Sequence, residues 1–87
     1  MLASGFEENL VKLLMGLVRN LLQYQAMERR FREKYQTTFE QFRSEKLGTE
    51  MSFEVEQDYF DWELAVTGVE EVREKLERLE TVVQRAR

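Results

Sequence analysis

The sequence predicts an all-α protein: an antiparallel helical hairpin of two long helices with a short intervening helix, forming a four-helix bundle when two copies pair. Three observations carry this. Two long stretches repeat apolar residues at three-and-four spacing, the 87-residue chain contains no proline, and helix-capping signals gather between them, around residues 37–48. One domain covers residues 1–87, because a chain of this length supports a single core and buries only about 60–65% of its unfolded surface.

The first helix is expected over about 6–35. Leu10, Leu14, Leu17, Leu21, Tyr24, Phe31 and Tyr35 keep the helical spacing, interrupted at Glu28. Roughly thirty residues at 1.5 Å each make it about 45 Å long. A short second helix follows over about 38–47. Thr38 with Gln41, or Thr37 with Glu40, fits a capping box, and Gly48 fits the residue just past a helix end. Phe39, Phe42 and Leu47 would face inward from it. The third helix is expected over about 54–85. Trp62, Ala65, Val69, Val72, Leu76, Leu79 and Val83 form an unbroken heptad seam. Glu71 with Lys75, and Glu74 with Arg78, are spaced to pair on its outside. Gly68, inside this helix, costs about 1 kcal/mol relative to alanine and implies a close crossing or a kink.

The stretch "LVKLLMGLVRNLL", residues 10–22, holds nine apolar residues out of thirteen. On a helical wheel Lys12, Gly16, Arg19, Asn20 and Gln23 fill an arc of about 100°, and the apolar residues cover the opposite 200° or so. A surface helix needs a stripe only a little wider than 100°. The short second helix starts at the far end and cannot reach this region. The third helix covers one flank, so the other needs a second molecule. A homodimer through the first helix follows, with Leu10, Val11, Leu14, Met15, Val18 and Leu22 as its interface.

Reaction chemistry is not expected. Histidine and cysteine are both absent, which removes the commonest general base, the commonest metal ligand and all disulfides. Di-iron bundles combine helix carboxylates with Glu-x-x-His, so that match fails too. No Gly-rich phosphate loop is present. The chain therefore reads as a non-enzyme without cofactor or metal. The apolar run is too short to span a membrane, and Lys12 and Arg19 would cost roughly 2.5–3.5 kcal/mol each at mid-bilayer. A cytoplasmic location is expected.

Charge refines the choice of partner. Thirteen basic against seventeen acidic residues give a formal charge of −4, which disfavours nucleic acid. "ERRFREKY", residues 28–35, is the one basic cluster, and a nucleic-acid regulator would work through Arg29, Arg30, Arg32 and Lys34. From Gly48 to Val72 there are eight acidic residues and no basic one. That end should steer a basic partner.

The segment "EKLGTEMSFEVEQDYFDWELAVTGVEEVREKLERLE" resembles small helical antitoxin-type proteins of prokaryotic toxin–antitoxin pairs. The resemblance rests on Leu47, Gly48, Phe53, Glu54, Glu56, Asp58, Tyr59, Trp62 and Glu63, and upstream on "FREKYQTTFEQF". It covers about residues 28–80. Gln36 stands where that family's pattern has glycine. The resemblance implies a non-enzymatic protein that binds and neutralises a small, toxin-like partner. Phe53, Tyr59 and Trp62 would then pack the junction of the helices, leaving Glu54, Asp58 and Asp61 as partner-facing candidates. The alternative from a different class is a structural assembly subunit of a helical complex.

Overall fold

The computed structural model describes residues 2–85, with side chains from residue 5; Met1, Ala86 and Arg87 of the expected 1–87 domain lie outside the described residues. The described residues are all-α: α1 spans Leu2–Tyr35, α2 Phe39–Lys46 and α3 Phe53–Arg85. The first helix thus begins four residues earlier than its apolar pattern suggests. Principal extents of 59 × 19 × 18 Å make a rod, set by two helices each about 50 Å long.

Local chemistry sets the breaks. Gln36, just past α1, has a φ of 52°, a left-handed conformation that ends the helix, and its Nε2 donates to the Glu33 carbonyl at 2.7 Å. Thr38 caps α2, its Oγ1 accepting from the Gln41 amide at 3.2 Å. Gly48, at φ 81°, follows the α2 C-cap Leu47. Ser52 caps α3: its Oγ accepts from the Val55 amide at 3.2 Å and its carbonyl from the Glu56 amide at 2.9 Å.

The helices α1 and α3 run side by side in opposite directions. Lys34 meets Asp58 at one end, Tyr24 lies on Gly68 midway, and Leu10 and Leu14 share a cleft with Leu79 and Val83 at the other. Most of the core sits at the α2 end, where Phe31, Phe39, Phe42, Tyr59 and Trp62 are buried together. Trp62 is the hub, with ring centroids of Phe42 at 5.1 Å, Phe39 at 5.5 Å and Phe31 at 5.8 Å. Its Nε1 finds no acceptor among the described residues. An orphaned buried donor costs about 1–3 kcal/mol. Full burial of a ring of this size stabilises by roughly 2–3 kcal/mol, and stacking adds to that, so packing wins.

Two expected core residues lie outside it. Phe53 is 83% exposed. It precedes Trp62 by nine residues, which at about 100° per residue puts it on the opposite side of α3. Leu47 is also exposed, because α2 ends at Lys46 and Leu47 leaves the helix in an extended conformation. Of the expected outer pairs, Glu74 and Arg78 meet at 3.8 Å, whereas Glu71 and Lys75 form no ion pair in the described structure.

Candidate protein-binding surfaces

The leucine-rich half of the rod is thinly covered. Of the residues from Leu10 to Leu22 only Leu17 is buried, and it borders a cleft with Lys75 and Leu79 of α3. Leu10 and Leu21 are half-buried. The helix α3 sits over Leu10, Leu17 and Leu21, to one side of the centre of the apolar arc, and leaves the Val11–Leu22 flank open, as expected. Both edges are left open. On one edge Val11, Leu14, Met15, Val18 and Leu22 are exposed, from 40% at Val18 to 60% at Leu22. On the other, Leu13 and Val82 are exposed beside the stems of Lys75 and Arg78. Five of the six expected interface residues therefore share one open edge. The sixth, Leu10, turns toward Leu76, Leu79 and Val83 of α3.

At the other end, the expected partner-facing carboxylates separate. Lys34 Nζ reaches Asp58 Oδ2 at 2.6 Å and Glu54 Oε1 at 2.9 Å, and the Tyr35 hydroxyl donates to the same Asp58 oxygen. The Asp58 side chain is only 14% exposed. Burial alone would raise its pKa, but the hydrogen bonds from Lys34 and Tyr35 outweigh it and hold the carboxyl below its ordinary value. Burial first, then the bond to Asp58, pushes the Tyr35 phenol up to about 12. The Lys34 ammonium is raised by Asp58 and then by Glu54. Asp58 thus clamps α1 to α3 and faces inward, not outward as expected. Glu54 keeps an exposed carboxylate although Lys34 touches it. Asp61 is partly exposed, with Gln57 Nε2 at 3.4 Å.

The clamp also thins the basic cluster. Lys34 is committed to Glu54 and Asp58, and Arg32 pairs with Glu28, which explains how an acidic residue interrupts the apolar pattern of α1. Arg29 and Arg30 remain exposed.

A comparison with known proteins finds no matching family model, no matching curated protein and no matching solved structure. Among the described residues no helix is long and apolar enough to cross a membrane.

A surface outside the expected candidates lies on the outer side of α3. Phe53, Phe60 and Leu64 are all more than half exposed. Their spacing of seven and four places them together, opposite the seam through Trp62. That periodicity is present in the sequence but is overshadowed by the stronger seam beginning at Trp62, and Phe53 is expected instead at the helix junction.

Proposed function

We propose that this chain is a non-enzymatic protein-binding module of the cytoplasm. As a helical hairpin it pairs with a second copy through α1 into a four-helix bundle and captures a small, toxin-like protein. The observation that carries the reading is the open apolar edge of Val11, Leu14, Met15, Val18 and Leu22, contiguous along one side of α1. Apolar residues scattered singly need no explanation, but five along one edge mark an association surface. A second copy is the economical cover, because the same edge on both partners closes by a two-fold axis. The antitoxin-like role is supported by the resemblance over residues 28–80 and by the acidic stretch from Gly48 to Val72, which would complement a basic toxin surface.

Sedimentation equilibrium at micromolar concentration tests the pairing. The native chain should be a dimer, and Met15→Glu with Val18→Glu should be a helical monomer. Co-expression with the product of the adjacent gene tests the role: an antitoxin retains that protein through purification. A native chain that sediments as a monomer, or retains nothing from its neighbour, overturns the corresponding half.

The second reading is an assembly subunit. It is favoured by the other open edge, at Leu13 and Val82, which an α1–α1 pair leaves uncovered. Such a subunit would sediment in a particle heavier than a dimer.

A further inference from the structure

The outer face of α3 combines an apolar centre with an acidic rim. Phe53, Phe60 and Leu64 are 83%, 53% and 56% exposed. At about 100° per residue they fall within roughly 40° of one another. Asp61 borders this stripe on one side, and Glu56 and Glu63 border it on the other. From Gly48 to Val72 the chain supplies no basic residue to offset them. Lys34, the lysine that α1 brings to this end of α3, is already engaged by Glu54 and Asp58.

Large apolar side chains on a helix whose opposite face is already buried have nothing left to cover within the chain. The rim selects the occupant. A second copy of the same face would set carboxylates against carboxylates, and phosphate-bearing surfaces would be repelled as well. A helix with an apolar stripe of its own, flanked by lysine and arginine, satisfies both the centre and the rim. We propose that this face of α3 is the docking site for a basic amphipathic helix of a partner protein. Its apolar residues cover Phe53, Phe60 and Leu64, and its cations meet Glu56, Asp61 and Glu63. The stripe is about 16 Å long, so three turns of the partner suffice. The inference rests on the protein-binding reading above, but not on pairing through α1 or on the partner's being a toxin.

The test uses the full chain and a fluorescent synthetic peptide of about eighteen residues, long enough to hold a helix. Leucines occupy one face of the peptide and lysines the rest. A second peptide replaces every lysine by glutamate, and a third scrambles the order so that no face is apolar. The expected result is anisotropy-detected binding of the first peptide at micromolar Kd, with the other two at least about tenfold weaker. Phe60→Ser with Leu64→Ser should weaken binding by a similar factor. Glu56→Gln with Asp61→Asn and Glu63→Gln, which leaves the apolar residues in place, should remove most of its salt dependence between about 0.05 and 0.5 M. Asn20→Ala, on the polar side of α1, should leave the affinity unchanged. Absent binding, equal binding of the charge-reversed peptide, or binding indifferent to both sets of substitutions overturns the proposal. If the α3 substitutions dissociate a native dimer, the stripe belongs to a second copy and the proposal also falls. Failure of α1 pairing is read separately, by sedimentation of the native chain without peptide.

Discussion

The ring of Tyr24 occupies the place where a side chain on Gly68 would begin: a β-carbon there would stand 2.6 Å from two of its ring atoms. The glycine inside α3 therefore reflects close approach of α1, not a helix interruption. Gly68→Ala gains about 1 kcal/mol of helix propensity but forces the ring aside, and overpacking costs typically 1–3 kcal/mol. Urea denaturation should show a net loss of up to about 2 kcal/mol. In a Tyr24→Ala background the same substitution should become neutral or stabilising. A cycle with no coupling between the two positions would contradict the geometry.

The glycine of α1 behaves oppositely. A β-carbon added at Gly16 meets nothing within 4 Å. Gly16→Ala should stabilise the chain by about 0.5–1 kcal/mol through helix propensity alone. Because Gly16 lies on the Lys12–Arg19 side of the helix, sedimentation should be unaltered. A change in oligomeric state would mean that the interface extends beyond the Val11–Leu22 edge.

Gln36 is a glutamine in a glycine's conformation. The left-handed region costs an L-residue about 1–2 kcal/mol, partly offset here by the exposed bond to the Glu33 carbonyl. Gln36→Gly should raise stability by about 0.5–1 kcal/mol, or several degrees in Tm. Gln36→Ala keeps the strain and loses the bond, so it should lower Tm. If both variants melt alike, the positive φ is not the source of the cost.

The helical architecture was legible because its signals are local. Seven seam residues of α3, the Thr38–Gln41 cap and Gly48 all act within a few residues of themselves. Phe39, Phe42, Tyr59 and Trp62 were likewise readable as core. Phe53 lies close to Tyr59 and Trp62 in sequence, but helical phase turns it outward. Asp58 turns inward for a different reason. A carboxylate in an acidic run looks solvent-facing until the fold brings Lys34 and Tyr35, more than twenty residues away, onto the same oxygen. Placement of α3 over Leu10, Leu17 and Leu21, with Leu13 left exposed on the near edge, depends on interhelical rotation. Spacing along one helix does not specify that rotation.

That clamp predicts a stability profile with two flanks. Asp58 titrates below its ordinary value in the folded chain, so its contribution is fully present above the unfolded carboxyl pKa of about 3.9 and is lost as pH falls through the lower, folded value. Lys34 and Tyr35 have raised values, so theirs is present below about pH 10 and is lost as pH rises through the folded values, about 12 for Tyr35. Urea midpoints should therefore be flat from about pH 5 to 9 and fall on both sides. Asp58→Asn keeps the shape of the side chain and removes its charge. At neutral pH it should cost about 1–2 kcal/mol, a charge-assisted bond discounted for the partial exposure of Lys34. As pH falls through the folded value, where the native carboxyl itself becomes protonated, the gap between native and variant midpoints should close. A gap that persists undiminished in acid would assign the loss to packing of the side chain and not to its ionisation.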